Sequence, residues 1–298
     1  MDTAKMYLAL ALIALVAVLA MPAPAHADEK VTPVFSAFFP FCIDTHDSQK
    51  RNLEQQAQML KELGYDGVGH LWLDNIPERL ATLDAQGLKL FQITIVINMD
   101  PKAAEPYDPS LPDVMRSLKG RNVEFLLIMN KFKSSDESAD PRAVEILTKL
   151  ADIAQENGLA LLLYPHTGDW IEKIEDAVRV AKKVNRPNVG VMFNLCHWLK
   201  AGRGENLKPL LEQAMPYLRA VSINGADTAQ EVLAGTGNWI QPLGSGSYDM
   251  YEFLNTLRDA GYTGKIGLQC WGIQGDVKVH LAQSIAAWRD LNKRLNEK

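Results

Sequence analysis

The chain has 298 residues, with 31 basic and 36 acidic side chains, a formal net charge of −5 and only three cysteines. An acidic balance excludes the electrostatic footprint of a nucleic-acid binder, and so few thiols, odd in number, exclude a disulfide framework, leaving at most one bridge. Cys42, Cys196 and Cys270 are expected as buried small hydrophobes, with any pairing among them open.

The N-terminus reads MDTAKMYLALALIALVAVLAMPAPAHADEK, placing Lys5 before an apolar run from Met6 to Met21 and ending in Ala25-His26-Ala27. A charged start, an apolar stretch short for a membrane span and a small-residue site predict a cleaved signal peptide over residues 1–27. The mature chain, residues 28–298, is then exported to the periplasm or beyond with no membrane segment; an uncleaved anchor is the alternative. Its length of about 270 residues suits one large domain or two small ones.

Eight strand-like runs follow: Val34–Phe39, Gly67–Leu73, Leu90–Ile97, Glu124–Met129, Ala160–Tyr164, Gly190–Asn194, Ala220–Asn224 and Lys265–Cys270. They are continuously apolar rather than alternating, as parallel strands covered by helices are. Helical segments between them carry start and stop residues: Asn75 with Pro77 and then Gly87, Ser110 with Pro112 and then Gly120, Asp140-Pro141 and then Gly158. LKELGYDGVG (Leu60–Gly69) and LRDAGYTGKIG (Leu257–Gly267) share Leu-x-x-x-Gly-Tyr-x-Gly, one helix-to-strand turn used early and late. The alternation predicts a single (β/α)8 TIM barrel, with a doubly wound open sheet as the alternative.

In such a barrel the chemistry gathers where strands end at their C-terminal side. In chain order those ends offer Phe41, Cys42, Asp44 and His46; His70, Trp72 and Asp74; Asn98; Asn130 and Lys131; Tyr164, His166, Asp169 and Trp170; Asn194 and His197; Asn224 and Asp227; Gln269 and Trp271. Histidine is the side chain that titrates near neutrality without help, so His166 and His197, joined by Lys131, are the expected acid–base groups. Asn194, Asn224, Gln269 and His70 are expected to hold substrate hydroxyls. Trp72, Tyr164, Trp170 and Trp271 would offer ring faces to the C–H patches of a small carbohydrate. Any metal would draw on His70, His166 and His197. PLGSGSYDM (Pro242–Met250) is a glycine-serine turn into a helix, a weak anion site; export favours an unphosphorylated substrate.

LKELGYDGVG, YPHTG, VGVMFNLCHWLKAG and PLGSGSYDMYEFLNTLRDAGYTGKIGLQ together resemble the xylose-isomerase-like barrel superfamily, sugar phosphate isomerase/epimerase-like, over nearly all of the mature chain. The resemblance implies a divalent ion held by a glutamate after strand five, an aspartate after strand six, a histidine after strand seven and a glutamate ending strand eight. This chain has YPHTG, Asn194, Asn224 and Gln269 at those places, while His197 keeps its spacing after Asn194. Neutral amides bring little charge to a hard cation, so the family-type metal site is expected to be lost. The implied activity is that of an isomerase, epimerase or dehydratase-like lyase moving a proton beside the carbonyl of a sugar or keto-sugar. The alternative is a carbohydrate-binding barrel without turnover.

Overall fold

Valine, isoleucine, leucine and phenylalanine crowd onto both faces of each predicted strand, and burial on both faces is what the computed structural model shows for residues 34–297. The predicted signal peptide lies outside these described residues. The strands are β1 (Ala37–Phe41), β2 (Gly67–Leu71), β3 (Lys89–Asn98), β4 (Glu124–Asn130), β5 (Ala160–Leu163), β6 (Val189–Asn194), β7 (Leu218–Ile223) and β8 (Lys265–Gln269). Every ladder is parallel, and the order β1-β8-β7-β6-β5-β4-β3-β2 sets the first strand beside the last. That pairing eliminates the doubly wound open sheet. The molecule is a single (β/α)8 TIM barrel.

The seam between β1 and β2 has a cause in the sequence. Phe38 donates its N–H to the Asp66 carboxylate (2.8 Å) and accepts from the Asp66 N–H (3.3 Å), so its peptide faces β2. Along a strand this orientation alternates, which turns the position of Pro40 to the same side; proline has no N–H to give, and no regular ladder forms there. Gly69 lets the backbones close instead, since a Cβ at this position would stand 2.7 Å from Phe41 Cβ. The first strand therefore runs later than the predicted Val34–Phe39, through Pro40 to Phe41, in register with Gln269.

The repeated Leu-x-x-x-Gly-Tyr-x-Gly segments are the same turn. Gly64 (φ +83°) and Gly261 (φ +92°) take the left-handed conformation that ends each helix, and the N–H groups of Tyr65 and Tyr262 return to Leu60 O and Leu257 O.

Packing forms two layers. Outward residues such as Ile93, Phe125, Leu161, Val191, Val221 and Ile266 meet the helices, and each such fully buried side chain contributes about 2 kcal/mol of transfer free energy. Inside the barrel, Leu126, Leu162, Met192 and Ala220 form a separate plug with Phe41 and Tyr164. Beneath it Glu124 on β4 accepts from Lys265 on β8 (2.6 Å) and from Gln92 on β3 (3.0 Å), closing the N-terminal end of the barrel.

Candidate active site

Side chains alternate along a strand, so one residue per strand faces inward at the C-terminal rim. From β1 to β4 these are Phe41, Leu71, Val96 and Ile128; from β5 to β8 they are Tyr164, Asn194, Ser222 and Gln269. The β1–β4 side is thus mostly apolar, with Thr94 and Asn130 as its polar members, and the β5–β8 side is polar. Above it opens a cavity of about 420 Å³, whose wall also takes in His166, Asp169, His197, Lys200, Asn130 and two tryptophans.

The polar half is organised by Asn194, the last residue of β6 and the N-cap of the helix Leu195–Gly202. Its Oδ1 accepts the His197 N–H at 3.0 Å, which fixes the amide's orientation. Its Nδ2 then points across the barrel, 2.9 Å from the Tyr164 hydroxyl, 2.8 Å from Ser222 Oγ and 2.9 Å from Gln269 Oε1. Burial holds the Tyr164 phenol far above its ordinary value, so it remains a neutral hydroxyl. Gln269 has its oxygen committed to Asn194, which leaves its Nε2 as the donor branch of a side chain lining the cavity.

His166 and His197 lie 4.1 Å apart between ring centroids with their planes tilted by 43°, and Tyr164 is edge-on to both. His197 accepts at Nδ1 from the Thr167 backbone N–H (3.1 Å), so its neutral ring carries the proton on Nε2. His166 has Nδ1 2.7 Å from the Asp169 carboxylate, a charge contact without hydrogen-bond alignment, whose negative charge favours the proton on Nδ1 and leaves Nε2 with the free lone pair. Burial first, then the charges of His166 and Lys200, drive His197 well below the ordinary histidine range. Burial also lowers His166, against the opposing pull of Asp169 and with a further push from Lys200. Near neutrality the pair is uncharged, one ring offering a base and the other an N–H donor.

Trp72 (44% exposed) and Trp271 (47% exposed) line the cavity and stand open to solvent. The Trp72 backbone is left-handed (φ +66°), a strained state for so bulky a residue, held by its N–H on Thr94 O at 2.9 Å. Trp271 meets the His46 ring edge-on at 5.7 Å, and His46 Nδ1 accepts from the Gly272 N–H (3.2 Å).

The structure thus brings His166, His197, Tyr164, Gln269, Trp72 and Trp271 to one cavity, with Asn194 directly behind. Four expected residues stand elsewhere. Lys131 is exposed at φ +62°, where the chain turns outward after β4. Trp170 is fully buried and donates Nε1–H to Asp136 O (2.8 Å). Asn224 lies past the end of β7 and donates Nδ2 to Gly225 O and Trp239 O, pinning the following loop. The rim position it was expected to fill belongs to Ser222, in register with Asn194. His70 is buried, its Nδ1 accepting from Arg79 Nε (3.2 Å) and its Nε2 facing Asp74 O (2.8 Å), so neither nitrogen is free for a metal or a substrate.

Sequence reasoning missed Ser222, Thr167 and Lys200. Lys200 had a usable signal: it follows His197 by three positions on a helix and so shares its face. The three cysteines are free and buried. The PLGSGSYDM turn is supplied with its own anions: Asp227 takes the Ser247 N–H (3.0 Å) and Asp249 caps the next helix at Glu252 N (2.9 Å), which disfavours phosphate.

A family model described as a xylose isomerase-like TIM barrel matches residues 110–295. The chain belongs to that family. Among curated relatives of this xylose isomerase-like barrel is the inosose isomerase of Bacillus velezensis, 21% identical over 238 residues, covering 74% of this chain and 84% of the relative. Among solved structures, the IOLI protein with a binding zinc atom superposes with a TM-score of 0.70 at 18% identity, over 87% of this chain and 99% of that one. An L-ribulose 3-epimerase superposes with a TM-score of 0.68 at 13% identity, over 88% and 96%.

A family-type divalent ion does not fit the residues present. The four converging positions on β5 to β8 carry a phenol, two amides and a hydroxyl, and the atom at their centre is an amide nitrogen whose hydrogens point at the others. Hard cations are held by anionic oxygens, of which this ring has none. Among the described residues, no three His, Cys, Asp or Glu side chains are grouped to hold an ion, so the alternative set of His70, His166 and His197 is not assembled.

Proposed function

We propose that this barrel is an exported enzyme that moves a proton on the carbon beside the carbonyl of an unphosphorylated sugar or keto-sugar. The observation that carries the reading is the neutral His166–His197 pair at the wall of a half-polar, half-apolar cavity. Nε2 of His166, oriented by Asp169, takes the proton from the α-carbon; the electron pair moves onto the carbonyl oxygen, which receives N–H donation from His197 Nε2 and Gln269 Nε2 as an enediolate. Return of the proton to the adjoining carbon, with the hydroxyl proton there passing to the former carbonyl oxygen, isomerises the sugar; reprotonation of the α-carbon on its other face epimerises it; and expulsion of a β-substituent with its bonding electron pair makes the step a lyase reaction. The apolar crescent of Phe41, Leu71, Val96 and Ile128 excludes water from the intermediate. Trp72 and Trp271 present apolar faces to the sugar ring at the mouth. The similar inosose isomerase and L-ribulose 3-epimerase support this chemistry, and the signal-peptide-like pattern of residues 1–27 supports export.

The test is incorporation of solvent deuterium into a panel of ketoses and keto-glycosides. The expected result is exchange beside the carbonyl that is abolished in His166→Asn and His197→Gln. Sugar binding by calorimetry with no exchange for any ligand refutes the reading in favour of a carbohydrate-binding barrel.

A further inference from the structure

We infer that the Asn194 side-chain nitrogen occupies the place of the metal ion in this xylose isomerase-like barrel, and that the site works without a divalent cation. The inference stands apart from the reaction proposed above and concerns what fills the centre of the rim.

Four side chains from four consecutive strands, Tyr164, Asn194, Ser222 and Gln269, converge until three oxygens lie within 2.9 Å of one nitrogen. That nitrogen is a donor with partial positive charge whose two hydrogens are shared among the three oxygens around it, so the polarity of an ion-and-ligand cluster is kept while the full charges are gone. The nitrogen cannot turn away. Rotating the amide would set Oδ1 against Gln269 Oε1 and point Nδ2 at the His197 N–H, exchanging two good hydrogen bonds for two donor–donor or acceptor–acceptor contacts. All four side chains are at least nine-tenths buried, with Tyr164 and Gln269 also reaching the cavity wall. No carboxylate replaces the lost charge inside it; Asp169, a carboxylate lining the cavity, is engaged with His166. Asn194 is therefore a positioning residue twice over. Its Oδ1 anchors the helix carrying His197, and its Nδ2 sets which branch of the Gln269 amide is left for the cavity.

The test uses the full-length chain and Co²⁺ alone as probe, because tightly held Co²⁺ gives visible absorption bands that free aqueous ion does not match. The wild-type protein is expected to show no such bands, no metal on elemental analysis after dialysis and no melting shift with Co²⁺ or Mn²⁺. The combined variant Tyr164→Glu, Asn194→Asp, Ser222→His and Gln269→Glu is expected to bind one Co²⁺ and to melt higher with it. Stoichiometric Co²⁺ on the wild type that disappears in Asn194→Ala overturns the inference. Should the combined variant fail to fold, the wild-type spectrum and its Asn194→Ala control decide alone. None of these readouts depends on turnover, so they stand whether or not deuterium exchange is found.

Discussion

Removing the Asn194 side chain tests how much of the rim hangs on one amide. Asn194→Ala deletes an N-cap, which costs about 1 kcal/mol. It also strands the buried Gln269 oxygen, which costs about 1–3 kcal/mol more. The hydroxyls of Tyr164 and Ser222 can rotate towards new acceptors, so they add little. The total of about 3 kcal/mol corresponds to a melting temperature lowered by on the order of 10 °C for a domain of this size. Asn194→Asp separates the two roles. It keeps the cap oxygen, and its charge suits a helix N-terminus, but it presents a second oxygen to Gln269, whose amide must turn over to donate. That reversal withdraws Nε2 from the cavity. Melting near wild type with kcat/KM lowered about 10² to 10³-fold, the cost of one lost oxyanion donor, is the expected result for the aspartate variant. Calorimetric melting and steady-state kinetics measure both. A fall of about 2 °C or less for Asn194→Ala, under 1 kcal/mol, refutes the claim that this amide holds the rim.

Because burial lowers both histidines, kcat/KM is expected to hold as pH drops through the ordinary value of 6.5, with its acid limb lying below it. Folding stability has the same sign: the unfolded chain takes up these protons first, so stability is full above 6.5 and declines as pH falls beneath it. Asp169→Asn removes the charge that raises His166 and moves the acid limb further down, whereas Lys200→Met removes a charge that lowers both rings and moves it up; pH–rate profiles that shift the other way reject the assigned couplings. Trp72→Ala and Trp271→Ala are each expected to raise KM roughly fivefold, about 1 kcal/mol of lost ring contact, with kcat unchanged. Lys131→Ala, outside the cavity, is expected to leave kcat/KM at the wild-type value, and a loss beyond tenfold in the same assay would restore it to the site.

The barrel was legible because strands buried on both faces write their identity as unbroken apolar runs. Only the first run was misplaced, and the reason is Pro40, which reads as a terminator although its missing N–H falls on the seam where no ladder is needed. The two histidines that share the cavity wall were legible because YPHTG and NLCHW both leave strand ends. Ser222 was not, because the seventh run reads on through Asn224, and only the observed end at Ile223 tells which residue of that parity stays on the rim. His70 misled for a different reason: its removal from the site depends on Arg79 and Asp74, contacts that strand-end reasoning does not see.

The plug of Leu126, Leu162, Met192 and Ala220, sealed below by the Glu124–Lys265 pair, makes the cavity a cup with no drain. Whatever enters between the two tryptophans must back out the same way, so product and the next substrate molecule compete for a single doorway. On the proposed reading, a polymer or branched sugar presents only its end unit to the histidines.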